Sequence, residues 1–408
     1  MKICLLSYRG NPYSGGQGIY LKYLAEELVR QGHEVHVVVG PPYPEKIKGV
    51  TVHQIDNNNY FVKKGFSFIN PQDPFEIFNP INAYEYFHSR LGAFSEISSF
   101  TYRAFLKIRS LQPKHNFDLI HDNQSLGYGL LLMKSLGIPV LATIHHPLTI
   151  DLENALERLS SFKKKIKTVF FYPLLMQRIV SPRLDHIITV SKRSQEDINK
   201  SFKVPFKKQS VVYNGLDLNI FSPQPEIAKE KRTLIFVGNV EDGKKGFIYL
   251  LRALKHLKKR VKLVVVDGGA PHRKLTSQII KKLGVGDFIE FKGAAEIKDL
   301  VSFYSKATLA IVPSVYEGFG FPAAEAMACG TPVIASNGGA LPEVVGSAGV
   351  VVEKRDEIFL ARKIDELIDD EKRLKDMREA GLERVQKNFT WAKAVKDITI
   401  IYSRFVSS

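Results

Sequence analysis

Two glutamates, Glu317 and Glu325, stand with seven residues between them in the otherwise apolar run EGFGFPAAEAMACGTPVIAS at 317–336. Glu317 precedes a Gly-Phe-Gly turn, whereas Glu325 falls inside AAEAMA, a stretch of strong helix formers. A helix is expected to begin near Phe321 and Pro322, because proline is tolerated at a first helical position, where its missing N–H costs nothing. The free N–H groups of that helix point back into the turn, and a helix N-terminus facing a glycine-rich loop suits an anion such as phosphate. A carboxylate on so apolar a helix is costly to bury without partners. The pair therefore either carries a polar task or is neutralised by a cap or salt bridge.

Further phosphate-compatible residues come from elsewhere in the chain. SGGQG at 14–18, with Gly15 and Gly16, lies between a strand and a helix, where glycines let backbone approach a ligand closely. It lacks the full G-x-G-x-x-G spacing of a dinucleotide site and is no P-loop, so a tight turn alone also accounts for it. VGNVEDGKKG at 237–246 places Asn239, Lys244 and Lys245 in a loop after a strand, where the lysines either reach a phosphate or are simply solvated. His145 and His146 end the strand VLATI, and strand alternation lets only one of them face a ligand. A histidine there can donate to a sugar or phosphate oxygen or be structural. Neither Asp56, Asp118 and Asp122 nor the remaining histidines follow a metal-binding spacing.

The elements that must position these residues alternate. KICLLSY, HEVHVVVG, FDLIHDN, IPVLATIHH and LDHIITVS are apolar strands separated by helix-like stretches, beginning with GGQGIYLKYLAEELVRQG. Such alternation implies an α/β fold with a parallel, doubly wound sheet. Residues 57–110 interrupt it with an aromatic, Asn- and Pro-rich segment leading into a helix, read as an insertion. DLNIFSPQPEIAKEKR at 217–232 breaks the pattern as a linker would. Six strand candidates follow: TLIFVGNV, VKLVVVDGG, DFIEFKG, ATLAIVPS, TPVIAS and GVVV. The expected organisation is a first domain at 1–218, a linker at 219–231, a second domain at 232–390 and a final helix at 391–408 packing back on the first. Two such sheets in tandem face each other across a cleft lined by strand C-termini, where ligands of these folds bind. The charged stretch from 357 to 387 reads as a solvated outer face.

Composition narrows the class. With 408 residues, 44% hydrophobic and 25% charged, the chain is long enough for two globular domains. MKICLLSYRG reads as a first strand, its apolar run being too short for a signal segment. No run reaches the ~18 apolar residues that a membrane span needs. Cys4 and Cys329 make no disulfide framework, which fits a reducing cytoplasm. The net charge of +16 favours polyanionic partners. From Arg158 to Arg183 the chain carries seven basic residues and no acidic one, interleaved with Phe162, Ile166, Val169, Phe170 and Phe171. Nucleic acid is disfavoured by the lack of zinc-finger, RNP-type or helix-turn-helix patterns. An anionic membrane surface bound through 158–183 and a core helix with a solvated lysine face remain open.

On these residues the chain resembles the retaining family 4 glycosyltransferases of GT-B fold over essentially its whole length. EGFGFPAAEAMACGTPVIAS resembles that family's Glu, seven residues, Glu signature. GGQGIYLKYLAEELVRQGHEV resembles its N-terminal glycine loop, FVGNVEDGKKGF its donor loop, and NGGALPEVVG the segment after the signature. The resemblance implies that Glu317 holds hydroxyls of the donor sugar and that Glu325 accepts from the ribose. It further implies that the backbone of Phe319, Gly320 and Phe321 binds sugar and phosphate oxygens, and that Lys245 neutralises the departing diphosphate. Gly15 and Gly16 then close on the diphosphate, and His145 contacts the transferred sugar. No metal or other cofactor is implied, the nucleotide-sugar being a co-substrate. The acceptor expected is a lipid-linked or cell-envelope glycan, with the protein cytoplasmic or peripheral on the inner membrane face, the membrane part resting on residues 158–183 and the net charge. A soluble acceptor, a nucleotide-sugar epimerase and a non-catalytic nucleotide-sugar binder are the alternatives. Retention implies either same-face attack by the acceptor hydroxyl or Glu317 as nucleophile. One departure stands out: Asn239 occupies the place of the family's usual arginine, and the loop to Lys245 and Gly246 is one residue longer.

Overall fold

The computed structural model describes all residues except 12–15, 59, 61–74, 269–273 and 407–408. The chain forms two units. The first comprises 1–190, 194–212 and 395–408, and the second 191–193 and 213–394.

The first unit is built on an all-parallel sheet of β1 (Lys2–Ser7), β2 (Glu34–Val39), β3 (Val50–Gln54), β4 (Leu119–Asn123), β5 (Val140–Ile144), β6 (His186–Thr189) and β7 (Gln209–Val211). Their order is β3-β2-β1-β4-β5-β6-β7, a doubly wound sheet that reverses direction beside β1. β1, β4 and β5 are almost wholly buried, as continuous apolar runs in a parallel sheet must be. β3 and β7 lack such runs because they form the two edges, where one side meets solvent, and neither stood out in the sequence.

Part of the expected insertion, 61–74, lies outside the described residues. The helix Glu96–His115 that follows is no appendage: Ile97, Phe100, Ala104 and Ile108 belong to the apolar core of the unit. Residues 395–408 also cluster here, with the Thr399 hydroxyl 3.4 Å from Gln31 Oε1 and the Tyr402 hydroxyl bonded to His121 Nδ1. The helix Phe162–Phe171 has no buried residue, and neither has Leu148–Glu157 before it. That is not the packing of a core helix. Among the described residues no helix is long and apolar enough to cross a membrane.

The second unit repeats the plan with β8 (Thr233–Val237), β9 (Lys262–Val266), β10 (Ile289–Gly293), β11 (Leu309–Val312), β12 (Val333–Ser336) and β13 (Val350–Val352), ordered β10-β9-β8-β11-β12-β13. Residues 219–231 lie within this unit instead of hanging free. The Glu230 N–H donates to the Lys306 carbonyl at 2.7 Å, and Lys229 Nζ donates to the carbonyls of Ala307 and Gly330. The helices Glu357–Leu367 and Glu371–Asn388 turn a charged face outward but bury Leu360, Ile364, Leu367, Leu374, Met377 and Val385. The charged stretch is therefore a cover for the core as well as a solvated face.

Candidate active site

In the second unit, the chain leaves β11 at Val312, crosses a loop at 313–320 and enters the helix Phe321–Ala328 with Pro322 in its first turn. Gly320 precedes that helix at φ 106°, and no side chain caps its N-terminus. The loop is held from both sides. The Val315 N–H donates to the Lys244 carbonyl at 2.7 Å, and the Ala340 N–H donates to the Glu317 carbonyl at 2.9 Å. These approaches demand glycine at two places. Gly246 and Gly339 both have φ of +64°, and a Cβ would lie 2.0 Å from the Pro313 carbonyl oxygen at the first and 2.2 Å from that of Glu317 at the second. Phe319 anchors the loop by its buried ring, edge-on to Phe321 at 5.2 Å and to Phe389 at 5.4 Å, so its main chain stays fixed at the helix entrance.

Lys245 Nζ lies 2.8 Å from Glu317 Oε1, and the Ser314 hydroxyl donates to the same oxygen at 2.8 Å. Glu317 Oε1 is thus doubly held. One turn and more into the helix, Glu325 Oε2 accepts from the Tyr304 hydroxyl at 3.0 Å. Burial pushes the Glu325 carboxyl up to about 7; the Tyr304 hydroxyl and the Lys245 charge oppose the rise, and Glu317 adds to it. One lysine accordingly acts on both glutamates, and the structure brings Glu317, Glu325, Lys245 and the 319–321 backbone to one end of one sheet. Tyr304 and Ser314 were not singled out in the sequence. Ser314, three residues before Glu317 at a strand end, was open to notice; nothing in the spacing marks Tyr304.

Asn239, exposed on the loop, uses its side-chain oxygen within the loop itself. Its Oδ1 accepts from the Glu241 N–H at 2.9 Å, and Asp242 Oδ1 accepts from the Lys244 N–H at 3.0 Å. These local bonds shape the longer loop that delivers Lys245. Arg193 also belongs to this unit, its N–H and that of Lys192 donating to the Glu343 carboxylate at 2.7 and 2.8 Å.

In the first unit, His145 follows directly on β5, and its Nε2 lies 2.9 Å from Asn123 Oδ1. Asn123 Nδ2 donates to the Gln17 carbonyl at 2.9 Å, so its Oδ1 is the acceptor and His145 carries its proton on Nε2. Tyr20 stands edge-on to the His145 ring at 4.8 Å. Asn123 thereby joins His145 to the start of the helix Gly16–Arg30; Gly16 is exposed there, and Gly15 lies outside the described residues. Burial pulls His145 down to about 3, with His146 and His121 adding to the effect. The ring is neutral, a hydrogen-bonding group and not a charge. His146 instead pairs with Asp151 at 3.0 Å. Gln124 and Leu126 sit at φ 56° and 53° in the loop after β4, and Gln124 Oε1 accepts from the His145 N–H at 2.6 Å. Backbone strain held beside a candidate site is the usual place for it.

Two parallel-sheet, Rossmann-like units, one presenting a Lys–Glu pair at a helix N-terminus, define a two-domain sugar- or nucleotide-handling enzyme class. The Glycosyltransferase Family 4 model matches residues 14–220 and the Glycosyl transferases group 1 model residues 219–384. The chain is 32% identical over 416 residues to the MMP alpha-(1->4)-mannosyltransferase of Mycolicibacterium hassiacum, covering 100% of this chain and 99% of that one. Its fold is similar to sucrose-phosphate synthase from Thermosynechococcus elongatus, with TM-score 0.73 at 23% identity over 99% of this chain and 98% of the other. It is also similar to Anabaena HepE in complex with UDP and glucose, with TM-score 0.69 at 19% identity over 99% and 100%. The chain belongs to the family 4 glycosyltransferases of GT-B fold, and is a glycosyltransferase that uses a nucleotide-sugar donor.

Proposed function

We propose that the chain transfers a hexose, with retention of anomeric configuration, from a nucleotide-sugar to a hydroxyl of a lipid-linked or cell-envelope glycan. The observation that carries this reading is the Lys245–Glu317 pair at the N-terminus of the helix that bears Glu325. Breaking the anomeric C–O bond sends its electron pair to the diphosphate and leaves positive character on the sugar carbon. Lys245 and the helix N-terminus face the growing negative charge, and preorganised groups of that kind lower such a barrier most. They supply the positive charge that a metal ion supplies in other transferases, so the reaction proceeds without one. Backbone at Phe319, Gly320 and Phe321 binds sugar and phosphate oxygens and Glu325 accepts from the ribose; the roles proposed for Gly15 and Gly16 are toward the diphosphate and that for His145 toward the sugar.

The acceptor hydroxyl attacks the face the phosphate leaves, and a phosphate oxygen takes its proton. Glu317 positions the sugar in this scheme. Its Oε1 is occupied by both Lys245 and Ser314, which suits a positioning carboxylate better than a nucleophile. A hexose is supported by the Mycolicibacterium relative, a mannosyltransferase making an alpha-(1->4) bond, whose α product is what retention gives if the donor is α-linked. The envelope or lipid-linked acceptor is supported by the helix Phe162–Phe171, with no buried residue, four lysines and an exposed Phe162 and Phe170.

The test is thermal denaturation of the purified chain with UDP-, GDP-, ADP- and dTDP-sugars, with and without chelator. A donor that binds only the folded state raises the midpoint in proportion to ln(1 + [L]/Kd). One nucleotide class is expected to stabilise, equally with chelator; no shift with any donor sinks the proposal. Sedimentation with anionic and neutral liposomes tests the acceptor's setting, and equal binding to both, or to neither, removes the membrane part.

A further inference from the structure

At the other end of the first sheet from His145, the tertiary structure assembles a histidine cluster that the transfer reaction does not use. Glu34 and His36 are two residues apart on β2 and so share a face of the sheet. His53 on the neighbouring edge strand β3 stacks on His36, with ring centroids 5.2 Å apart, and its Nε2 lies 2.9 Å from His36 Nδ1. His115, the last residue of the helix Glu96–His115, brings its ring 4.5 Å from that of His36. His36 Nε2 is 3.1 Å from Glu34 Oε1, and one ligand atom from each of Glu34, His36 and His115 lies within 4.8 Å of the others.

We propose that Glu34, His36 and His115 bind one divalent transition-metal ion of the zinc class, water completing a four-coordinate shell. Bonds of about 2.0–2.1 Å to tetrahedral zinc put ligand atoms roughly 3.3 Å from one another. The Glu34–His36 pair already has that spacing, and the exposed Glu34 and half-buried His115 are free to close the rest. The metal replaces the proton shared between His36 Nε2 and Glu34. His36 then carries its proton on Nδ1 and donates to His53 Nε2, the second-shell bond that orients ligating histidines. Phe117, edge-on to His36 at 5.1 Å and stacked on His115 at 5.7 Å, walls the site on its apolar side. The helix C-terminus adds a negative partial charge. Lys2 acts electrostatically on Glu34 and is the cation the metal must outcompete. Two nitrogens and one carboxylate select zinc, cobalt or nickel over magnesium or calcium.

The site is structural, because His36 is in register with Cys4, Ile120 and Val140, so His145 lies five residues further along, about 16 Å at strand rise. Its effect is to tie the sheet edge at β2 and β3 to the helix Glu96–His115.

The untagged, chelator-stripped full chain titrated with Zn²⁺ by calorimetry, and with Co²⁺ in visible absorbance, tests the proposal. Expected are one Zn²⁺ per chain, a raised denaturation midpoint, the visible bands of four-coordinate Co²⁺, and no response to Mg²⁺. His53→Ala weakens Zn²⁺ binding by about 10–100-fold, as second-shell loss does, and Glu34→Gln with His115→Ala weakens it more. Both ligand substitutions fall outside the buried core, so the midpoint without metal stays near wild type. A wild-type chain that takes up no Zn²⁺ overturns the proposal, as does a double variant that binds as wild type does.

Discussion

The two units carry chemically opposite candidate sites. The second gathers charge: Lys245 against Glu317, with Glu325 within reach of the same lysine and held up to about 7 by burial. The first offers a neutral His145, pulled down to about 3 by burial and fixed in one tautomer by Asn123. The difference follows the reaction proposed above, in which charge develops on the diphosphate and must be met by charge, while sugar hydroxyls keep no charge and need only oriented hydrogen bonds. A charged site depends on each partner remaining ionised, whereas a neutral one depends on geometry alone.

Breaking the charged side has the largest expected effect. Glu317→Ala lowers kcat by roughly 10²–10³-fold, the scale of one lost preorganised contact, while the fold is retained. Lys245→Ala does the same and weakens donor binding, and the double variant costs less than the sum, with a coupling of about 0.5–3 kcal/mol. Steady-state kinetics on the four proteins check this; strict additivity would separate Lys245 from Glu317.

Next in size is Glu325. Glu325→Ala raises KM more than it lowers kcat, because ribose bonds are made equally in ground and transition states. Its raised folded pKa has a signed consequence. Between the ordinary value of 4.5 and about 7 the folded chain holds a proton that the unfolded chain has lost, so this group's contribution to stability falls as pH rises through that window. Glu325→Gln flattens the slope, as denaturation midpoints between about pH 5 and pH 8 will report.

The neutral side yields a smaller loss. His145→Ala costs about tenfold in kcat/KM, the worth of one neutral hydrogen bond, and the wild-type pH profile carries no inflection from His145 between about pH 5 and pH 8. An inflection that disappears in the variant would make His145 an acid or base and collapse the contrast. The smallest effect sharpens it: Asn239→Arg adds a cation at the donor loop and tightens donor binding by a few-fold, measured by calorimetry with the nucleotide diphosphate.

Legibility followed burial and periodicity. The buried parallel strands announced themselves as apolar runs, so the doubly wound sheets were readable; β3 and β7 were not, since edge strands need no such run. The glutamates were visible because a carboxylate in an apolar helix is locally anomalous. Tyr304, which bonds Glu325 from a different helix, was invisible because no local rule marks it.

By itself the sequence determined the alternation of strands and helices, the helix start at Phe321 and Pro322, and the spacing of Glu317 and Glu325, all of them properties of near neighbours along the chain. Tertiary structure alone decided that Lys245 reaches Glu317, that Asn123 sets the tautomer of His145, and that Glu34, His36 and His115 meet. Apart from Glu34 and His36, neighbours on one strand, these contacts join residues far apart in the chain, and they exist only because parallel strands with helical crossovers bring distant strand ends and helix ends to the same edge of a sheet.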